Sequence, residues 1–218
     1  MSRTALVAGP TGLVGRLLLK RLLASSRYER VKVLSRRPLN HEEAKLETLL
    51  TDYSDIGLGQ LGNRLAADDV FCCLGTTIRT AGSRAAFERV DYHMVVGVAR
   101  AAKAAGAKQF LVVSAVGASS RFPAVFYSRV KARMEQAVAE IGFDAVHILR
   151  PSLLLGDRAE RRPGEDIAQR LAPLLIPLFV GPLKKYCPVR ADDVAAAMEQ
   201  LAAREAGGVQ IHHLPLDR

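Results

Sequence analysis

Ser114, Tyr127 and Lys131 are the side chains of this sequence that could carry out a reaction together. Tyr127 and Lys131 stand at i and i+4, so on a helix they share one face. An ammonium beside a phenol favours the tyrosinate, and such a group can move a proton to or from a carbonyl or alcohol oxygen. Ser114 can hydrogen-bond the same oxygen. A Tyr-x-x-x-Lys pair by itself is commonly an ordinary surface pair. Its weight comes from what surrounds it.

The surroundings begin with Gly9-x-x-Gly12-x-x-Gly15, with Thr11, Leu13 and Val14 filling the turn. Gly9 permits a tight turn at a strand end, Gly12 lets backbone N–H groups approach a pyrophosphate, and Gly15 lets a helix pack closely on a sheet. The helix N-terminus adds positive dipole and free donors. Glycines at this spacing are a weak signal alone, but here they lie between an expected strand and an expected helix. The end of the second strand reads Ser35-Arg36-Arg37. A domain that prefers NAD usually places Asp or Glu there. Two guanidinium groups suit the 2′-phosphate of NADP through charge-assisted bonds, so NADP is expected over NAD. With that cofactor, the nicotinamide's positive charge would further favour tyrosinate at Tyr127.

These residues need a scaffold, and the apolar pattern supplies one. Strands are expected at Thr4 to Ala8, Val31 to Ser35, within Ala44 to Leu50, and at Asp69 to Leu74, Gln109 to Ser114, Ala145 to Leu149 and Val209 to His213. Helices are expected at Leu13 to Ser25, Ser83 to Ala105, Tyr127 to Ile141 and Asp192 to Arg204, the last capped by Asp192 or Asp193. Strands and helices alternate, and the strands are apolar without strict alternation. That pattern implies an α/β fold, a single doubly wound parallel-sheet domain over residues 1–218. Gly156 to Pro188 breaks the rhythm with five prolines. An irregular segment over about 156–190 is expected to cover the substrate side of the crevice beyond the strand ends.

Composition bounds the partners. The chain has 218 residues, 49% of them apolar and 24% charged, enough for a substantial core. No apolar run reaches the roughly 20 residues of a membrane span. The first strand starts almost at once, so no signal peptide and no membrane partner are expected. Cys72, Cys73 and Cys187 form no disulfide framework and suit a reducing compartment, expected to be the cytoplasm. No CxxC or HxxxH spacing suggests a metal site. His93 and His147 fit structural roles, and His212-His213 fits an edge strand. The net charge of +9 arises from 31 basic and 22 acidic residues. The basic residues are scattered, and no aromatic-and-basic motif joins them, so nucleic acid is not the expected partner. Arg158, Arg161, Arg162, Lys184 and Lys185 leave an anionic small-molecule substrate open. A monomer or a homodimer is expected.

The chain resembles the short-chain dehydrogenase/reductase superfamily through Gly9-x-x-Gly12-x-x-Gly15, Asp52, Ser114, Tyr127-x-x-x-Lys131 and Arg150-Pro151. Within it the chain looks like an atypical member close to the Tat-interacting-protein, tumour-suppressor oxidoreductase family. Cys73-Leu74-Gly75-Thr76-Thr77, Arg89-Val90-Asp91, Tyr127-Ser128-Arg129-Val130-Lys131 and Arg162-Pro163-Gly164-Glu165 carry that likeness. The resemblance implies that Asp52 and Tyr53 lie by the adenine. It implies that Leu74, Gly75 and Thr76 line the central ribose and phosphates. Lys131 would bond the nicotinamide ribose, and Pro151, Ser152 and Leu153 would lie beside the nicotinamide. Asp91 stands where the superfamily usually has Asn. The chain is too short for the C-terminal substrate domain of extended members, so Thr77 to Arg84, Val116 to Phe126 and Gly156 to Pro188 must build the substrate pocket.

The function expected is an NADP-dependent oxidoreductase that moves a hydride between the cofactor and a small carbonyl or alcohol. Tyr127 would be the acid/base, Lys131 would position cofactor and lower the tyrosine pKa, and Ser114 would polarise the substrate oxygen. The competing expectation is an NADP-binding, redox-responsive regulatory or scaffold protein with little turnover.

Overall fold

The structure, a computed structural model, describes residues 3–39, 43–118, 125–156, 186–204 and 206–215. In chain order the elements are β1 (Arg3–Ala8), α1 (Leu13–Ala24), β2 (Tyr28–Ser35), β3 (Leu46–Leu50), α2 (Asp55–Leu61) and β4 (Asp69–Cys72). Then come α3 (Ile78–Ala81), α4 (Arg84–Glu88), a π-helical turn (Arg89–Met94), α5 (Val95–Ala104), β5 (Gln109–Val113) and α6 (Phe126–Ala139). The chain closes with β6 (Ala145–Arg150), β7 (Leu154–Leu155), β8 (Val189–Arg190), α7 (Ala191–Ala202) and β9 (Gly208–His213).

The main sheet runs β3-β2-β1-β4-β5-β6-β9, with every neighbouring pair parallel. This is the doubly wound order, with β9 added beside β6. Its central strands are buried on both faces, which explains why their sequences do not alternate. On one face Leu58 of α2, Val95 and Ala99 of α5 and Met134 of α6 pack on Leu6, Val70, Phe110 and Ile148. On the other, Leu18 and Leu22 of α1 and Val194 and Met198 of α7 pack on Val7, Phe71, Leu111 and Leu149. Each such buried Val, Leu, Ile, Phe or Met side chain stabilises the fold by about 1.5–3 kcal/mol.

The amino ends of the strands are closed by a polar knot. Arg3 donates two hydrogen bonds to the buried Asp69, at 3.1 and 2.6 Å, and Tyr28 donates a third at 2.9 Å. That end is structural, which leaves the carboxyl ends for a ligand. His147 is buried in β6, with Nδ1 3.0 Å from Nε2 of His212 on β9. Burial, aided by His212, holds His147 down at about 4, so it is a neutral core histidine.

Three expectations need correction. Ser83 to Ala105 is not one regular helix: α4 and α5 are joined through the π-helical turn Arg89–Met94. Asp192 and Asp193 do not cap α7. Val189–Arg190 pairs with Leu154–Leu155, so extended backbone continues to the N-cap residue Arg190. The two acids lie in the first turn, where they complement the helix dipole. The strand expected from Asp69 to Leu74 ends at Cys72, which frees Cys73 and Leu74 for the carboxyl edge. Among the described residues no helix is long and apolar enough to cross a membrane. The cysteines are free thiols, and burial pushes Cys72 up to about 12.

Candidate functional site

The connections reverse direction across the sheet between β1 and β4, where an open parallel sheet leaves a crevice at its carboxyl edge. A cleft of about 560 Å³ lies there. The glycine turn forms one wall with Thr11, Gly12, Leu13 and Val14. The segment after β4 contributes Leu74, Gly75, Thr76 and Thr77, and the far end is made by Ser114, Tyr127, Lys131, Ser152 and Leu153. Thr11 and Leu153, 142 positions apart along the chain, thus meet in one cavity.

The turn fits a pyrophosphate for reasons visible in the backbone. Gly12 is the N-cap of α1, no side chain caps it, and the first turn carries no acid. Its free N–H groups and positive dipole therefore face the cleft. A Cβ on Gly12 would meet protein only at 3.5 Å or more, from Gly9 O and then Cys73 O. Nothing within the protein requires glycine at this position, so the space it leaves belongs to the cleft. Gly15 differs: a Cβ there would lie 2.0 Å from the Gly9 carbonyl oxygen. The protein's own packing demands that glycine.

Ser114 follows β5. Its N–H donates to Leu149 O at 2.7 Å, tying it to β6, while its Oγ is buried with no partner among the described residues. Tyr127 and Lys131 lie one turn apart on α6. Phe87 flanks the Tyr127 ring, with centroids 5.3 Å apart. Lys131 is buried with its Nζ 2.7 Å from Oδ1 of Asp91, an ion pair rather than an aligned hydrogen bond. Asp91 Oδ2 accepts the Thr76 N–H at 2.9 Å. Burial lowers the Lys131 pKa, but Asp91 and Tyr127 outweigh it and the net direction is upward. At Tyr127, burial raises the pKa, Lys131 lowers it and Asp91 raises it, for a net rise. Lys131 thus acts on Tyr127 in the expected direction, and burial and the Asp91 charge outweigh it.

The adenine-side residues are not brought into the cleft. Arg36 and Arg37 are exposed at the end of β2, and Ser35 Oγ accepts the Arg37 N–H at 3.3 Å. Asp52 accepts bonds from the Ser54 N–H and hydroxyl, which hold its carboxyl below the usual range. Tyr53 is buried. Its hydroxyl donates to Leu34 O and accepts the Gly9 N–H at 3.4 Å, so it braces the glycine turn from beneath. Pro151 is buried beside the cleft, and its carbonyl accepts the Val116 N–H at 2.9 Å. Arg16, Cys73, Asp91, Val113 and Leu154 also line the cavity, although they were not assigned to it from sequence. Asp91 carried a usable signal, an acid at a position that the helical pattern turns toward the sheet.

The segment expected over 156–190 leaves and returns beside the cleft. Val189 N–H donates to Leu153 O at 2.9 Å, and the Ser152 hydroxyl donates to Cys187 O. Arg158, Arg161, Arg162, Pro163, Gly164, Glu165, Lys184 and Lys185 lie outside the described residues, as do residues 119–124 of the expected substrate pocket. Among the described residues no group of three or more His, Cys, Asp or Glu could hold a metal.

Comparison with known proteins adds independent findings. The family described as NAD(P)H-binding matches residues 9–170. Protein HTATIP2 of Rattus norvegicus is 38% identical over 173 residues, covering 78% of this chain and 70% of that protein. The protein named "fmp52, mitochondrial" of Aspergillus niger is 33% identical over 213 residues, covering 95% and 90%. Among solved structures, MoeE5 in complex with UDP-glucose and NAD superposes with a TM-score of 0.71 at 20% identity, covering 96% of this chain and 75% of that one. This likeness shows the shared fold. The cytoplasmic expectation is overturned, because several relatives carry "mitochondrial" in their names. Reduced thiols were the basis for that expectation, and they do not distinguish one reducing compartment from another.

Proposed function

Because this chain belongs to the NAD(P)H-binding family, as an atypical short-chain dehydrogenase/reductase related to Protein HTATIP2, we propose that it is an NADP-dependent oxidoreductase acting on a small carbonyl or alcohol. The observation that carries this reading is the Ser114 hydroxyl. It is buried and unpartnered among the described residues, and it lines the same cavity as Tyr127 and Lys131. An orphaned buried hydroxyl is costly, and a substrate oxygen would satisfy it. The bound nicotinamide would supply the hydride. Tyr127 moves the proton at the oxygen, Ser114 orients that oxygen, and Lys131 holds the ribose. The uncapped α1 N-terminus holds the pyrophosphate.

Tyr127→Phe is expected to lower turnover about 10²–10⁴-fold, the usual contribution of a general acid or base. NADPH affinity should change little in a fluorescence titration. Turnover surviving the change would sink the assignment. Tight NADPH binding with no oxidation by wild type across a broad carbonyl panel would favour the regulatory reading.

The preference for NADP rests on Arg36 and Arg37. Replacing both by alanine is expected to weaken NADPH binding about 10–100-fold, the loss of roughly 1.5–3 kcal/mol of charge-assisted bonding. NADH affinity should barely move in parallel calorimetric titrations. Equal loss for the two cofactors would remove these arginines from the phosphate site.

A further inference from the structure

We propose that Asp91 is a positioning residue of this site: its carboxylate takes up the charge of Lys131 and ties that lysine to the loop at Thr76, so that Tyr127 enters the reaction as a phenol and the site is fitted to carbonyl reduction. This rests on the oxidoreductase reading above and adds a direction to it.

The geometry is specific. Asp91 is fully buried, with one carboxylate oxygen 2.7 Å from Lys131 Nζ and the other accepting the Thr76 N–H at 2.9 Å. A carboxylate in such a place needs both partners. A Cβ on Gly75 would come within 3.4 Å of Asp91 Oδ1 and 3.8 Å of Lys131 Nζ, so that glycine stands against the ion pair. Asp91 occupies the π-helical turn Arg89–Met94. Such turns interrupt regular helices and are frequent at functional sites.

The consequence follows from charge. A lone ammonium one turn from Tyr127 would favour tyrosinate; an ammonium already paired with a carboxylate does so far less. The charged groups acting on Tyr127 are Lys131 from α6 and Asp91 from the π-helical turn. Cys72 of β4 also faces Lys131, and burial keeps that thiol protonated. Phe87 and Ser114 add no charge. Burial acts in the same direction as Asp91, against ionisation of the phenol. Carbonyl reduction consumes a hydride at carbon, supplied by the reduced nicotinamide, and a proton at oxygen, given by Tyr127. The C=O becomes CH–OH, and water reprotonates the tyrosinate. Alcohol oxidation would instead need tyrosinate at the start.

The test uses the full chain without cofactor or substrate. Tyrosine labelled with ¹³C at Cζ is titrated by NMR in wild type, Tyr127→Phe and Asp91→Asn; the Phe variant identifies the Tyr127 signal. In wild type that signal should stay in its phenol form up to about pH 9 and titrate above the ordinary tyrosine value of about 10. In Asp91→Asn its midpoint should fall by a unit or more. A wild-type midpoint below that of ordinary tyrosine, or a midpoint in Asp91→Asn equal to or above wild type, overturns the proposal. If Asp91→Asn fails to fold, Asp91→Ser is titrated in its place, with the same two outcomes. A failure here leaves the oxidoreductase reading intact, because the turnover of Tyr127→Phe tests that separately.

Discussion

Gly15→Ala is expected to destabilise the protein by roughly 3 kcal/mol or more and to abolish NADPH binding. The added Cβ would lie 2.0 Å from Gly9 O, 2.9 Å from Gly9 C and 3.2 Å from Pro10 Cα. All three are backbone atoms, so no rotamer change relieves the clash. Either α1 moves off the sheet or the turn opens, and either movement dismantles the row of N–H donors at the α1 N-terminus. Gly12→Ala is the discriminating control. Its Cβ meets protein at 3.5 Å, an ordinary contact. That variant should keep its urea midpoint while its NADPH affinity, read by fluorescence, falls sharply. A Gly12→Ala protein that binds NADPH as wild type does would mean the pyrophosphate lies elsewhere.

Lys131→Met carries the second large effect, a loss of about 3–5 kcal/mol. The thioether preserves much of the volume, so packing is not the cause. The substitution leaves the fully buried Asp91 carboxylate without its counter-charge, with the Thr76 N–H as its hydrogen-bond donor among the described residues. Adding Asp91→Asn should recover most of the loss, because the stranded charge disappears. Urea denaturation of wild type, both single variants and the double variant gives the coupling. A Lys131→Met protein within 1 kcal/mol of wild type, or no recovery in the double variant, would contradict the buried pair (the threshold is roughly the value of an exposed pair). The pH dependence has a definite sign. Folding raises the Lys131 pKa, so its contribution is fully present below the unfolded value of about 10.4. It is lost as pH rises through the folded value. The gap between wild type and Lys131→Met should therefore be flat near neutrality and narrow only in strong alkali.

The positions of β1, β4, β5 and β6 and of α1, α6 and α7 could be read within a few residues because burial of the central strands on both faces leaves apolar runs, and Gly106 and Gly142 end helices with backbone at φ +93° and +88°; the two-residue strands β7 and β8 left no such run. The glycine turn was equally legible, since Gly9, at φ +79°, and Gly15, packed on the Gly9 carbonyl, answer backbone requirements set within the turn itself. The π-helical turn was not. It changes the hydrogen-bond register within a run that keeps helical composition, so periodicity reads straight through it. Tyr53, which the resemblance sets beside the adenine, has a second use: its hydroxyl is engaged by Leu34 and Gly9. That use depends on how β3 sits beside β2, which no local pattern states.

Tyr127 and Lys131 share a helix face by their spacing alone, and the doubly wound sheet follows from the order and polarity of the segments. Both are local properties of the chain, so residue types and intervals determine them. The electrostatic state of that pair is another matter. It depends on Asp91, 40 residues before Lys131, being turned inward and brought within 2.7 Å of the ammonium. Coulomb energy depends on separation and burial in three dimensions. Only the tertiary structure brings those charges together, and burial and Asp91 raise the Tyr127 pKa where the lysine alone would lower it.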